Sequence, residues 1–175
     1  DCPAFRESVA LIQPDPAMQG YLQRALGLTV FGRNVRQAAF LFRGEGGNGK
    51  TTLLKVLAFV LGGYAASCNI QLFLAGRDAA AGNANPEEVP LVGARAAIAT
   101  EPEPNDVLSP KRIKSMTGGD ARPVRPLYQE QFTYTPHAMP ILSFNRTPRI
   151  KGEDEGLWRR LHFVTFDVNL CALPE

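Results

Sequence analysis

No apolar run in this chain reaches 18 residues, which excludes a helix long enough to cross a bilayer. Charge of one sign is also scarce. Nineteen Lys and Arg stand against seventeen Asp and Glu, a formal +2 over 175 residues. That balance excludes a generally basic surface, so any nucleic-acid contact must come from a local cluster. Cysteine is limited to Cys2, Cys68 and Cys171, without a CxxC pair. An odd, scattered set cannot close fully into disulfides and points to a reducing, intracellular setting. The two histidines, His137 and His162, have no carboxylate or cysteine at metal-ligand spacing, and no Ser-His-Asp arrangement is visible. They read as structural or exposed residues. Internal repeats, heptads and long low-complexity tracts are lacking too. The first residues, DCPAFRESV, include neither an initiator Met nor a basic-then-apolar leader, so the chain reads as a piece of something longer.

What is present is ordinary globular composition, 45% hydrophobic and 21% charged, enough for one domain with its own core. Sixteen glycines and fourteen prolines imply many turns. In PDPAMQGYLQRALG, Asp15 suits an N-cap, Pro16 the first helical position and Gly27 a stop, with Met18, Leu22 and Leu26 on one face. Residues 28–31 read as a short strand. Ala38 to Phe42 is an apolar strand that runs into RGEGGNGK, and helical spacing resumes from Thr51 to Leu61. There Leu54, Leu57 and Leu61 form one row and Leu53, Val56 and Val60 the next, which predicts a largely buried helix. Residues 75–86 read as a mobile surface loop. Ala94 to Thr100, Met139 to Phe144 and Leu161 to Val168 read as further core strands. Ser109-Pro110 open a helix that ends at Gly118-Gly119, and residues 121–136 read as two extended arms around a turn. Trp158 is expected in the core. Strands alternating with helices, across connections too long for hairpins, predict an α/β fold with a mostly parallel central sheet flanked by helices. The organisation expected is a lead-in over residues 1–37 and a core over 38–175.

The strongest motif is Gly44-Glu45-Gly46-Gly47-Asn48-Gly49-Lys50-Thr51, which matches G-x-x-x-x-G-K-[ST] between a strand and a helix, with Thr52 following. Glycines let the backbone curl with its N–H groups inward around phosphate oxygens. The helix that follows adds free N–H groups and the positive end of its dipole. Lys50 brings a charge to the β- and γ-phosphates, and the Thr51 hydroxyl can complete a Mg²⁺ shell. ATP and Mg²⁺ are therefore the expected cofactors.

Such a loop needs an acid at a neighbouring strand end to place the metal and the attacking water. Glu101 and Glu103 follow the Ala94–Thr100 strand, two residues apart, so both carboxylates can point the same way. Asn145 ends the Met139–Phe144 strand, where an amide can orient water. Arg159 and Arg160 can offset charge on a transferring phosphoryl group, and which of them does so stays open. Residues 111–125 hold Lys111, Arg112, Lys114, Arg122 and Arg125 against one acid, Asp120. With Tyr128 and Gln129 beside them, Lys114, Arg122 and Arg125 suit phosphate contact and base stacking on single-stranded DNA.

In order, LFRGEGGNGKTT, ATEPEP, KRIKSMTGGDARPVRPLY, PILSFNRTPRI and EGLWRRLHFVTF resemble superfamily 3 helicases, above all the phage, plasmid and poxvirus primase-helicases. The resemblance spans about residues 18 to 168. It implies a P-loop NTPase of AAA+-like type and an ATP-driven helicase that replicates a mobile element inside a host cell's cytoplasm. It implies a ring, expected as a hexamer, with single-stranded DNA in the pore, and a primase-type domain fused or associated. Residue by residue, it assigns Glu101 to the second motif. Lys114, Gly118, Gly119 and Asp120 open the third, whose ribbon grips DNA. Asn145 becomes the sensor, and one of Arg159 and Arg160 a finger reaching a neighbouring subunit's nucleotide. The Asp that commonly precedes the second-motif Glu is absent, so the roles of Glu101 and Glu103 stay undivided. Two other readings fit the same loop: a P-loop kinase, which would leave the TGGD ribbon without a task, and a non-enzymatic DNA-binding ring module with a decayed nucleotide site.

Overall fold

The computed structural model describes residues 2–76, 86–100, 106–150 and 154–172. Its main sheet has five strands, all parallel, in the order β2-β3-β7-β1-β9. These are β1 (Ala39–Arg43), β2 (Ala65–Ser67), β3 (Ala96–Thr100), β7 (Met139–Phe144) and β9 (Leu161–Thr165). The central β7 is buried along its whole length, as expected for a parallel strand covered on both faces. Pro140 is tolerated there because pairing with β1 starts only at Ile141, so no ladder bond is lost on that side.

Side-chain alternation divides the strands between two cores. Ala39 and Leu41 of β1 join Leu142 and Phe144 on one face, with Ile113 and Met116 of α4 (Pro110–Gly118). Phe40 and Phe42 join Ile141 on the other, under Leu53 and Leu54 of α3 (Lys50–Leu61). Ile12 of α1 (Pro3–Ile12) and Leu22 of α2 (Pro16–Gly27) enter that second core as well. The result is three layers, helix on sheet on helix. Beside them lie a small parallel pair, β4 (Val107–Leu108) with β8 (Arg149–Ile150), and an antiparallel hairpin, β5 (Arg122–Val124) with β6 (Phe132–Tyr134). The four-residue α5 (Glu155–Trp158) leads into β9. Among the described residues no helix is long and apolar enough to cross a membrane.

Several expectations hold with their physical reasons. Asp15 caps α2 through its bond from the Ala17 N–H, and Ser109 caps α4 through Arg112, with Gly119 taking the left-handed exit at φ +79°. Others need correction. Residues 28–31 are a 3₁₀ turn, not a strand. Gly27 keeps helical angles, Thr29 bonds back to the Leu26 carbonyl, and the turn ends at left-handed Gly32. The second apolar row of α3 is buried only at Leu53: Val56 and Val60 are exposed, with Phe59 87% exposed, because the sheet receives only the Leu53, Leu54 and Leu61 side. Trp158 is 45% exposed, since Leu157 is the residue of α5 that enters the core. The helix α1 was not anticipated, although Phe5, Val9 and Ile12 recur at helical spacing in its sequence. The loop expected over 75–86 falls largely outside the described residues.

Candidate active site

In a parallel sheet the carboxyl ends of all strands share one edge, and connections leaving that edge build the ligand site. Here the edge gathers the exits of β1, β3 and β7. Thr100 pairs with Ser143, Arg43 pairs with Phe144, and the Gly44 N–H donates to the Phe144 carbonyl (3.2 Å). A cleft of about 590 Å³ opens there, lined by residues 46–52 of the glycine-rich loop and helix start, by Thr100, and by residues 143–146. Lys50, Thr51, Thr52 and Asn145 thus meet at one place, as the sequence suggested. Thr100, Ser143 and Arg146 also line it and were missed. Thr100 adjoins Glu101, Arg146 adjoins Asn145 and Ser143 lies two residues before Asn145, all within segments in which other residues were singled out.

The loop's shape follows from a few contacts. Asn48 is buried and donates to the Phe166 carbonyl just past β9 (3.1 Å), and its Oδ1 accepts from Lys50 Nζ (2.8 Å). Lys50 also donates to the Gly44 carbonyl (2.5 Å). Burial lowers the Lys50 pKa from the usual lysine value, while two acceptors favour its ammonium form. Gly44 is obligatory: a Cβ there would come within 2.1 Å of Asn48 Nδ2 and 2.4 Å of the Phe166 oxygen. Gly49, the cap of α3, has φ +78° and lies where a Cβ would strike Ile12 of α1 at 2.4 Å. The N-terminal segment therefore braces the loop from behind. Glu45 is exposed and outside the cleft lining, and Gly44 contributes through its carbonyl.

Glu101 and Glu103 lie outside the described residues; Thr100, immediately before them, opens on the cleft. Arg159 and Arg160 are not in this cleft. Both donate to Gln37 Oε1, at 3.3 and 2.8 Å, and Arg160 also donates to the Gly156 carbonyl. Arg160 is buried, its Nε has no partner, and burial together with the neighbouring Arg159 charge lowers its pKa. It lines a second cleft of about 680 Å³ that runs along α4, with Lys111 and Lys114 of that helix and Asp120 just past its end. Lys114 is ion-paired there with Asp154 (2.5 Å), the cap of α5. That pair, first of all, holds the Asp154 carboxyl below the usual aspartate range. Of the residues expected to meet DNA, Arg125, Tyr128 and Gln129 share the hairpin tip, where Tyr128 is fully exposed at φ +59°. Arg122 instead turns inward to Glu88 (2.6 Å) and Ser115 (2.8 Å). The half-buried His162 has a structural place: Tyr21 Oη lies 2.8 Å from its Nδ1, and it stacks on Phe40.

The chain is thus a parallel α/β sheet with a glycine-rich loop at its carboxyl edge, an amide at the neighbouring strand's tip and a projecting hairpin, and the proteins it is similar to are helicase-like. Solved structures agree at the level of the fold. The apo C-terminal region of NrS-1 superposes with a TM-score of 0.69 at 15% identity, over 96% of this chain and 38% of that one. The JCV helicase superposes at 0.57 with 18% identity, over 92% and 43%. Among curated proteins, L207/L206 of Acanthamoeba polyphaga mimivirus, which carries a provisional helicase name, is 34% identical over 155 residues. Protein 022R of Frog virus 3 (isolate Goorha), also provisionally named a helicase, is 32% identical over 162 residues. Protein C962R of African swine fever virus, provisionally named a primase, is 32% identical over 149 residues. These matches cover 84 to 90% of this chain but only 15 to 16% of those proteins. A family model matches residues 42–160, and the chain belongs to that family, the family of unknown function DUF5906.

Proposed function

We propose that this chain is the nucleotide-hydrolysing core of a replicative DNA helicase of superfamily 3, a P-loop NTPase of AAA+-like type. The observation that carries the reading is the convergence of Lys50, Thr51, Thr100 and Asn145 on one cleft at the carboxyl edge of an all-parallel sheet. The donor set fits a triphosphate. It combines an ammonium, two threonine hydroxyls and the amino end of a 12-residue helix, and a Cβ at Gly46 would meet open space. Magnesium would take the Thr51 hydroxyl, a hard oxygen ligand, with Glu101 and Glu103 as its expected acidic partners. Bound magnesium-ATP supplies a polarised γ-phosphoryl group for in-line attack by water.

The residues of the chain then divide the remaining work. Residues 44–52 hold the phosphates, and Lys50 offsets their charge. Glu101 draws the proton from the attacking water, and Asn145 orients that water. Arg159 and Arg160 sit away from their own chain's cleft, which supports the idea that one of them serves a neighbouring subunit in a ring, expected as a hexamer. Arg125, Tyr128 and Gln129 meet single-stranded DNA in the pore. The fully exposed ring of Tyr128, next to an arginine and an amide, supports stacking with phosphate contact. A primase-type domain in the same or an associated chain completes the assembly.

ATP hydrolysis measured with and without single-stranded DNA tests this reading. Stimulation by DNA is expected, with loss of activity in Lys50→Ala. Partial recovery is expected when Lys50→Ala is mixed with Arg159→Ala or with Arg160→Ala. Hydrolysis indifferent to DNA at every protein concentration would refute the motor.

A further inference from the structure

The hairpin that offers Arg125 and Tyr128 at its tip is held at its base by a residue that no sequence motif pointed to. Glu88 lies in a 3₁₀ turn, Pro86–Leu91, and its side chain is 9% exposed. Its two carboxylate oxygens take one hydrogen bond each from the two hairpin strands. Arg122 of β5 donates to Oε1 at 2.6 Å, and Tyr134 of β6 donates to Oε2 at 3.2 Å. Arg122 and Tyr134 are direct cross-strand partners, so both project from the same face of the hairpin onto the same carboxylate. The remaining arm of the Arg122 fork donates to Ser115 of α4 (2.8 Å). Val124, two residues on and on the same face, is completely buried, whereas Leu127 and Tyr128 at the tip are exposed. The hairpin is thus sunk at one end and open at the other.

The clasped segments have a common destination. The Glu88 turn leads within eight residues into β3, which ends at Thr100. Tyr134 leads within five into β7, which is followed by Asn145. These two strands are hydrogen-bonded neighbours, and both deliver residues to the phosphate cleft at their carboxyl ends. A buried carboxylate satisfied by two partners on two strands has one good geometry, and loosening either bond frees the hairpin from the core.

We propose that Glu88, Arg122 and Tyr134 form a clasp that ties the DNA-facing hairpin to the strands carrying the nucleotide cleft. In this role Glu88 and Tyr134 are positioning residues for coupling DNA to hydrolysis. The coupling part rests on the helicase reading above; the mechanical part does not. Arg122 then acts through Glu88 and not on DNA phosphates.

The test uses Glu88→Gln and Tyr134→Phe in the full 175-residue chain. Hydrogen exchange is followed by mass spectrometry, and ATP hydrolysis is followed with and without a single-stranded oligonucleotide. At least tenfold faster exchange of amides 122–134 is expected in both variants, with α3 as protected as in the wild type. The ratio of DNA-stimulated to basal rate should fall toward one, with the basal KM for magnesium-ATP within twofold. Should Glu88→Gln not fold, Tyr134→Phe, which deletes one oxygen, decides alone. Unchanged hairpin exchange overturns the clasp. A loosened hairpin with an unchanged stimulation ratio overturns the coupling role. A wild-type chain without DNA stimulation sinks the helicase reading and the coupling with it, and exchange at 122–134 still judges the clasp.

Discussion

Two glycine-to-alanine changes should move stability in opposite directions, for reasons visible around each Cα. At Gly27 a Cβ meets nothing within 4 Å and the backbone is already helical, φ −60°. Gly27→Ala therefore restricts only the unfolded chain and should stabilise by about 0.4–1 kcal/mol. At Gly44 the same methyl would sit 2.4 Å from the Phe166 carbonyl, a backbone atom, and 2.1 Å from the Asn48 amide. An ordinary contact requires a displacement on the order of 1 Å. Overpacking of that kind costs about 1–3 kcal/mol. Parting Asn48 from the Phe166 oxygen adds about 1 kcal/mol. Gly44→Ala should thus lose about 2–4 kcal/mol, read as a lower urea midpoint with an unchanged slope. Because Asn48 also holds Lys50, magnesium-ATP affinity by calorimetry should fall at least tenfold in this variant and stay unchanged in Gly27→Ala. A Gly44→Ala protein within about 0.5 kcal/mol of wild type and binding nucleotide normally would refute the claim that the Asn48 tether shapes the loop.

Burial pushes the Cys68 thiol up to about 12, so at pH 8 on the order of one thiol in 10⁴ is ionised. A disulfide reagent should titrate exposed Cys2 and Cys171 quickly and Cys68 only after unfolding; three fast thiols would contradict the packing. Tyr128 occupies left-handed backbone without being glycine, a cost of about 1–2 kcal/mol. Tyr128→Gly should leave the melting temperature equal or slightly higher while single-stranded DNA affinity by fluorescence anisotropy drops, and a clear loss of stability would mean the ring packs on the protein. Burial lowers the His162 pKa, so its neutral form is the folded one. Its contribution is complete above the unfolded value near 6.5 and is lost as pH falls through the folded value, because the unfolded chain then binds more protons. The urea midpoint should fall less between pH 7 and pH 5 in His162→Gln than in wild type; equal falls would discard this role.

Local patterns reached far into the fold. The strand before the loop, the helix after it, β7 with its boundaries, and α4 with its Ser109 cap and Gly119 exit all follow from short-range rules, because caps, turns and apolar periods act over a few residues. The loop, Lys50, Thr51 and Asn145 were legible for the same reason. Where neighbours in space mattered, those rules failed. Val56 and Val60 of α3 look like core until the sheet takes only one side of the helix. Trp158 looks like core until Leu157 fills the space. Gly27 does end the α-helix, but with helical angles, so the chain runs on through a 3₁₀ turn until Gly32 takes the left-handed exit.

The order of residues by itself determined that a strand, a glycine-rich loop and a helix would follow one another, and that alternating strands would run parallel. Tertiary structure alone decided who shares the loop's surroundings. It set Ile12 behind Gly49, the Phe166 carbonyl against Asn48, Arg159 and Arg160 on Gln37, and Glu88 between Arg122 and Tyr134. Every one of these partners is at least 34 residues away in sequence. The glycine-rich loop is encoded in eight consecutive residues because its curl is a matter of local backbone geometry, whereas a buried carboxylate finds its partners only when the chain folds.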